Sequence, residues 1–426
     1  MAHSARRILM NNERSGALRK GANVKRKRTL RFLFGKKKMQ DGEFFSDNRM
    51  YYENLANKYH VLRSLTALLL ALVILTFCTL TYSFLTDNEF RYLYKIWKIN
   101  PVSINSQYQD ISYAAGNGAK FIFYKNDLAV IESGKIAVYD LTGDRQFREE
   151  APNSAQASAV SDKYIALYTP GDKRFAIYDS FSAVYDHVFA YPIRLAAISD
   201  SGKFALCLRE DERIVIEVYN QSTVKEFSIP LNDNTVVYDL DLSPNGDKLA
   251  ITTIEGGDLF GAGNYYTEFS IWDVSSQKMV FSEKFDGKKP VDASFFDNSR
   301  LFFAMQGSVI FCQSNGKKTE TVSAPFSCKV ATDGETVAVT DGSSLVSIYD
   351  SRGEKKSEFS ISEKLVDLKV KNNCCYIFFS RSIAAYDDEG QLMGTYSIDS
   401  GAIDFFPLDD GSLLVCYVSE TNRIVP

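Results

Sequence analysis

Histidine is nearly missing from this 426-residue chain, which contains three. His3 and His60 precede the one long apolar run, so only His187 stands in the large region after it. A Ser-His-Asp or Cys-His site needs an imidazole that moves a proton near neutral pH. His187, in VYDHVFAYP, is predicted to be a surface or packing residue on an outer strand or loop. No catalytic residue is therefore assigned.

Cysteine and tryptophan are also scarce, with seven and two residues. No C-x-x-C pair is present, so the usual zinc and redox spacings are absent. Cys207, Cys312 and Cys416 stand inside apolar runs, where cysteine acts as a small hydrophobic residue. The acidic turns at 387–389 and 409–410 lack the spacing of a calcium loop. The sequence predicts no cofactor and no metal site.

Charge is absent from residues 64 to 84, SLTALLLALVILTFCTLTYSF. A helix of this length covers roughly 30 Å, the thickness of a bilayer's hydrocarbon core. We predict a transmembrane helix at residues 64–85. A cleavable signal peptide is the alternative, but its apolar core is shorter, lies nearer the start and precedes small residues.

The two sides of this run differ in charge. Residues 1–63 hold 16 Lys plus Arg and 5 Asp plus Glu, whereas the later residues hold 33 and 48. Positive charge beside a span stays on the cytoplasmic side. The sequence predicts a single-pass cell-membrane protein with its N-terminus in the cytoplasm and the acidic part outside, on a bacterial surface or in a eukaryotic lumen.

Residues 1–43 are predicted to form a basic, disordered cytoplasmic tail, and residues 44–63 a juxtamembrane segment. Basic residues near a membrane attract anionic lipid headgroups. A tail that only enforces orientation is an equal alternative, and nucleic-acid binding is a weaker one because phosphate attraction is unspecific. The predicted lipid contacts are Lys25, Arg26, Lys27, Arg28, Arg31, Lys36, Lys37 and Lys38.

Residues 86–103 alternate aromatic and basic side chains, as in RYLYKIWK. Such a mixture is favoured at a membrane–water boundary, which predicts an interfacial collar here. Residues 104–426 then form the extracytoplasmic domain.

A repeat of about 40 residues fills that domain. Short runs rich in Val, Ile, Tyr and Phe alternate with turn residues, and the third run of each unit often ends in an aromatic residue and Asp, as in IWD, IYD and AYD. Four short strands per unit predict an all-β fold, a β-propeller whose blades bury both faces by stacking. The residues that mark the first turn of each unit are Asn126, Asp162, Asp200, Asn245, Asp297, Asp333, Asn372 and Asp409.

Eight such markers favour eight blades over seven. The last unit supplies only two or three strands before residue 426, and a strand at residues 109–115 is predicted to complete it. Joining strands from both ends of the domain would close the ring and remove its exposed edges.

The glycine-rich stretch at residues 255–266, EGGDLFGAGNYY, lengthens the fourth unit. Tyr266 replaces the third glycine of a dinucleotide fingerprint, and no helix follows. We predict an extended hairpin between the second and third strands of the fourth blade, either a tolerated insertion or a contact loop. The contact candidates are Asp258, Leu259, Phe260, Asn264, Tyr265 and Tyr266.

The endings IWD, IYD and AYD, with SPNGDK and SDSGK in first turns, resemble degenerate repeats of the WD-repeat and quinoprotein-like propellers. The layout of basic tail, single span and propeller is similar to an uncharacterised family of membrane-anchored bacterial proteins, a domain of unknown function. The resemblance to quinoproteins implies a cofactor beside the adjacent Cys374 and Cys375. Those enzymes also carry a tryptophan at each blade contact, whereas Trp272 is the only one within residues 104–426.

These observations favour a non-enzymatic platform that docks another envelope protein or a surface polymer. A sensor that couples a ligand in the central funnel to the basic tail is the second hypothesis. A quinoprotein-like enzyme is the third.

Overall fold

The computed structural model describes residues 58–75, 110–113, 118–132, 134–152, 157–256 and 265–425. The chain divides into two compact units, Met1–Thr86 and Asp87–Pro426. The predicted tail, the collar and the eight lipid-contact residues lie outside the described residues.

In the first unit, helix α1 covers Lys58–Leu75, and all its residues are exposed. By length and composition this helix is sufficient to cross a membrane. It begins before the predicted start at Ser64, because residues 58–63 contain neither proline nor glycine to end a helix. The rest of the predicted span, residues 76–85, lies outside the described part.

The second unit is an eight-bladed β-propeller, with seven four-stranded antiparallel sheets and one three-stranded sheet in the described residues. Each blade uses strands that follow one another in the sequence. Blades 1 to 4 are β1 (Lys120–Tyr124), β2 (Asp127–Glu132), β3 (Lys135–Asp140), β4 (Arg145–Glu150); β5 (Ala157–Val160), β6 (Ile165–Tyr168), β7 (Arg174–Tyr178), β8 (Ala183–Val188); β9 (Ile193–Ile198), β10 (Phe204–Glu210), β11 (Arg213–Tyr219), β12 (Lys225–Pro230); and β13 (Thr235–Leu242), β14 (Lys248–Gly256), β15 (Tyr265–Asp273), β16 (Lys278–Asp286). Blades 5 to 8 are β17 (Pro290–Phe295), β18 (Arg300–Met305), β19 (Ser308–Gln313), β20 (Lys318–Ser323); β21 (Lys329–Thr332), β22 (Thr336–Thr340), β23 (Leu345–Asp350), β24 (Lys355–Ser360); β25 (Asp367–Lys371), β26 (Cys374–Phe378), β27 (Ser382–Tyr386), β28 (Leu392–Ser397); and β29 (Asp404–Pro407), β30 (Leu413–Cys416), β31 (Thr421–Ile424).

Position within a blade determines how deeply a strand is buried. All four residues of β6 are buried, as expected for a strand covered on both faces. The fourth strands, such as β8, are mostly exposed and form the outer circumference. The first strands of neighbouring blades contact one another in order from β5 to β29, so they surround a central channel.

One hydrophobic cluster fills the gap between each pair of neighbouring blades, eight clusters in all among the described residues. Between blades 4 and 5, for example, Phe269 stacks on Phe303 with ring centroids 4.6 Å apart. Burial of both faces of each sheet therefore depends on its neighbours, as expected of repeat architectures.

The N-terminal segment of the domain closes the ring by pairing with the last blade. Ser112 forms an antiparallel bridge with Glu420, and Thr421 N donates to Ile111 O at 3.0 Å. The hydroxyl of Tyr113 donates to Tyr417 O at 2.7 Å, and Ile111 and Tyr113 both join the cluster between blades 8 and 1. The predicted pairing of the two ends is thus present within residues 110–113, but as a single bridge and not as a strand.

The aromatic–Asp endings of third strands form the turn into the fourth strand. Asp140 Oδ1 accepts hydrogen bonds from Thr142 N and Asp144 N, both at 3.0 Å. Asp179 and Asp350 accept from the backbone of their own turns in the same way. The repeated signature therefore specifies Asx turns, in which a short carboxylate holds the backbone of the next residues.

All eight predicted marker residues fall in turns between first and second strands. In SPNGDK, Gly246 has φ +70, and a Cβ there would lie 2.8 Å from Ser201 Oγ and 2.9 Å from Lys203 Cδ. Ser201 N also donates to Pro244 O at 3.2 Å. Only glycine suits this position, where the turn of blade 4 packs on the turn of blade 3.

Antiparallel order gives the propeller two different rims. The first rim carries the turns between first and second strands and between third and fourth strands. The second rim carries the turns between second and third strands and the links from one blade to the next.

Candidate functional site in the central channel

The channel wall consists of first strands, each of which presents an unpaired sheet edge. Backbone N–H and C=O groups on such an edge need partners other than a strand. On β17 the partners are carboxylates from the preceding blade: Ala293 N donates to Asp239 Oδ2 at 3.0 Å, and Phe295 N donates to Asp241 Oδ2 at 2.7 Å. Two side chains of β13 thus bind the edge of β17.

Asp239, Asp241 and Asp292 form what we call the acidic wall, with the first two on β13 and the third on β17. All three are half-buried. Burial raises the pKa of Asp241 to about 7, opposed by the Phe295 hydrogen bond and reinforced by Asp239. Burial, together with the charge of Asp239, raises the pKa of Asp292 to about 7. Burial also raises the pKa of Asp239.

A β-bulge in β13 brings two consecutive side chains to this wall. The register with β14 shifts between Val237 and Asp239, so Tyr238 is the extra residue. Tyr238 Oη lies 3.5 Å from Val291 O, and the next residue, Asp239, also reaches β17. Bulges re-aim side chains in this manner.

Across the ring, the corresponding position carries a paired carboxylate. Lys369 Nζ on β25 lies 2.5 Å from Asp404 Oδ1 on β29 and donates to Phe405 O at 2.7 Å. The same ammonium lies 3.8 Å from the ring centroid of Phe406. Burial raises the pKa of Asp404, and Lys369 opposes that rise.

Exposed apolar side chains cluster where first strands begin at the second rim. Phe326 is 75% exposed and Val366 50% exposed. At the opposite ends of the first strands, Val160 is the one large apolar side chain with comparable exposure among the described residues. The mouth residues, as we call the second-rim set, are Val236, Tyr238, Phe326, Val366 and Ile403.

The predicted hairpin leaves the second rim between β14 and β15, which are nine residues each. Its tip, with Asp258, Leu259, Phe260 and Asn264, lies outside the described residues. Tyr265 and Tyr266 stand at its base. Tyr266 bonds Glu255, and Lys284 lies 4.0 Å from the Tyr266 ring centroid and 3.4 Å from Glu268. The base is therefore fixed by bonds across three strands.

The cysteines of the apolar runs are buried and His187 is exposed, as the sequence predicts. Cys207, Cys312, Cys375 and Cys416 are buried between blades, and burial raises the pKa of Cys375 to about 12. Cys374 is the first residue of β26. His187 is exposed on the fourth strand β8. Within the described ranges, no three His, Cys, Asp or Glu side chains are arranged to hold a metal ion.

Sequence reasoning missed the acidic wall. The available signal was aspartate within strands, in VVYDLDL and PVDASF, because aspartate is depleted in strands. Because the repeat contains many aspartates in turns, the aspartates within strands did not stand out in the sequence.

Comparison with known proteins decides the family. Residues 98–425 match DUF5711, a family of unknown function. This chain belongs to the DUF5711 family. The DUF5711 match covers all 31 strands and leaves out helix α1. No curated protein matches the chain in sequence.

Solved structures show that this DUF5711 member shares its fold with other propellers. BamB from Moraxella catarrhalis is similar with a TM-score of 0.50 and 12% identity, over 75% of this chain and 99% of that chain. The C-terminal WD40 domain of Sif2 is similar with a TM-score of 0.52 and 12% identity, over 75% and 98% of the two chains. These likenesses confirm the β-propeller fold that the repeats predict.

Proposed function

We propose that this DUF5711 member is a membrane-anchored, extracytoplasmic propeller that acts as a non-enzymatic platform for another envelope protein or a surface polymer. The observation that carries the platform role is the exposure of the mouth residues. Exposed aromatic and aliphatic side chains at one opening of a rigid ring are suited to bury against a partner.

Helix α1 supports the anchor. Leucine, valine and isoleucine occur on all its faces, and Leu68, Leu70 and Leu75 are each at least 64% exposed. A helix that is apolar all round belongs in a core or in a bilayer. Retention of α1 as an anchor, with the basic tail inside, gives these side chains lipid as their solvent.

The hairpin of blade 4 extends the same docking face. Asp258, Leu259, Phe260 and Asn264, with Tyr265 and Tyr266 at the base, are the proposed partner contacts. The network of Glu255, Lys284 and Glu268 fixes the base at Tyr265 and Tyr266, and loops on a rigid scaffold often carry binding residues.

Exchange of one mouth residue tests the platform. Phe326→Asp places a charge in the docking face and should reduce by about tenfold the yield of proteins or polymers crosslinked to the full chain in its own membranes. Val224→Asp is the matched control, because Val224 is 59% exposed but lies on the first rim. Equal crosslinking by both variants, or no crosslinked species with the natural chain, contradicts the platform.

Reporter fusions test the topology. A reporter at the carboxyl end should be active only on the extracytoplasmic side, and activity in the cytosol contradicts the proposal. Replacing the eight basic residues from Lys25 to Lys38 by glutamine should weaken flotation with anionic vesicles if the tail binds headgroups. Deleting residues 1–40 should leave the outer crosslinks intact, whereas a sensor would lose its response.

A further inference from the structure

The acidic wall has no cationic partner in the part of the chain that the structure describes. Among the described residues, no lysine or arginine makes an ion pair or a hydrogen bond with Asp239, Asp241 or Asp292, whereas Lys369 neutralises Asp404. A carboxylate that is partly removed from water without a cation is costly in its charged form. Asparagine at 239 would still accept from Ala293 N, at the loss of the Leu240 N bond to the other oxygen, and asparagine at 241 would still accept from Phe295 N, in both cases without that cost.

A second observation on the same face points to a missing partner. Thr252 on β14 stands directly opposite Asp239 in the strand register, so both side chains lie on one face of the sheet. Thr252 is 1% exposed, and its Oγ1 has no hydrogen-bond partner among the described residues. Buried hydroxyls are nearly always hydrogen-bonded. A hydroxyl without a partner, on the same face of the sheet as a carboxylate without a cation, therefore indicates a place for a polar ligand.

The chemistry of the site fits a basic side chain. Ammonium and guanidinium groups only donate hydrogen bonds, and carboxylates and a threonine oxygen accept them. Val236 and Tyr238, which are 40% and 44% exposed, lead from the second rim to Asp239 on the same strand. They offer apolar contact to the stem of a lysine or arginine and to its neighbours in an extended peptide.

We infer that the acidic wall is the docking site for a lysine or arginine side chain of a protein partner, which reaches the channel from the second rim past Val236 and Tyr238. This inference rests on the platform function and specifies its partner. The cation pairs with the carboxylates of the acidic wall, and the peptide on either side covers the mouth residues.

Short peptides on the full chain in phosphatidylcholine nanodiscs test the inference. The probes are fluorescent, end-capped hexapeptides with leucine and tyrosine beside a central Lys, Arg, norleucine or Glu. Fluorescence anisotropy should show binding of the Lys and Arg probes, and this binding should weaken with salt. Equal binding of the Glu or norleucine probe overturns the inference.

Asp239→Asn separates binding from structure. It should weaken binding of the Lys probe by about tenfold and leave the melting temperature close to the natural value, because the amide keeps the Ala293 hydrogen bond and removes a half-buried charge but gives up the Leu240 N bond to Oδ1. Asp233→Asn is the matched control, since Asp233 is exposed on the link before β13. Loss of probe binding only together with a lower melting temperature indicates a structural role and contradicts the site.

Spermidine distinguishes a peptide from a free amine. It should compete with the Lys probe only weakly, because it lacks flanking apolar side chains, and tight binding of spermidine with no binding of peptides contradicts a protein partner. If no peptide binds but Phe326→Asp still reduces crosslinking, the lysine site is rejected and the platform is kept. If the Lys probe binds but Phe326→Asp has no effect on crosslinking, the wider platform is rejected and the lysine site is kept.

Discussion

Two places on the channel wall supply hydrogen-bond partners to the exposed edge of an inner strand, but they do so with side chains of opposite charge. At blades 7 and 8, Lys369 bonds the edge of β29 and pairs with Asp404 at 2.5 Å. At blades 4 and 5, Asp239 and Asp241 bond the edge of β17, and no lysine or arginine among the described residues pairs with them. Both arrangements supply partners to the exposed edge of an inner strand.

This difference distinguishes the edge hydrogen bonds, which the fold requires, from the charge of the side chains that make them, which it does not require. A closed ring needs its inner edges bonded, and either a lysine or an aspartate can do this. The fold does not need the net negative charge at β13 and β17, because neutral acceptors would bond the same amides. The paired side is therefore expected to contribute stability, and the acidic wall to reduce it.

Removing the lysine from the paired side should have the largest effect on stability. Lys369→Met leaves Asp404 without its cation and Phe405 O without its donor, so the free energy of unfolding should fall by about 2 kcal/mol. Urea unfolding of the full chain in detergent, followed by tryptophan fluorescence, measures this loss.

Lys371→Met is the control from the same strand. Lys371 pairs with Asp409 at 2.9 Å, but the Asp409 side chain is 60% exposed. Exposed pairs contribute less than about 1 kcal/mol, so this variant should unfold close to the natural chain. Equal losses for Lys369→Met and Lys371→Met would mean that the paired side of the channel does not stabilise the ring.

The acidic wall should make stability depend on pH. In the folded state the pKa values of Asp241 and Asp292 are both raised to about 7, whereas an aspartate in an unfolded chain titrates near 4. The folded state therefore binds protons that the unfolded state does not, and stability rises as the pH falls through 7. From pH 8 to pH 6 the gain should be about 1 kcal/mol for each carboxylate.

The double variant Asp241→Asn, Asp292→Asn should lose this dependence. Its melting temperature should vary less between pH 8 and pH 6 than that of the natural chain, and it should exceed the natural value at pH 8. Asp233→Asn should keep the natural dependence. A natural chain that gains stability as the pH rises from 6 to 8 would contradict the raised pKa values.

The sequence predicted the ring well because its signals are local and repeated. The Asx turns at Asp140, Asp179 and Asp350 and the glycine turn at Gly246 each follow from a few neighbouring residues. The pairing of the two ends was predicted from a missing strand in the last unit. These features need no knowledge of distant contacts.

The channel site could not be predicted in the same way. Asp239 and Asp292 are 53 positions apart in the chain, and their proximity depends on how blades 4 and 5 stack. The bulge at Tyr238 also changes which side chains face β17, and no local pattern of alternation shows it. Nothing in the sequence distinguishes Thr252 from other strand residues, because only the strand register shows that it lies opposite Asp239.

Two threonines on neighbouring strands give the finest comparison. Thr252 Oγ1 has no partner among the described residues, whereas Thr267 Oγ1 donates to Lys288 O at 2.6 Å, and both side chains are at most 1% exposed. Thr252→Val removes an unbonded buried hydroxyl and should raise the free energy of unfolding by up to about 1 kcal/mol, whereas Thr267→Val breaks a bond and should lower it by a similar amount. Urea unfolding without peptide measures both, and a loss at Thr252 equal to that at Thr267 would show that the Thr252 hydroxyl already has a partner in the folded protein.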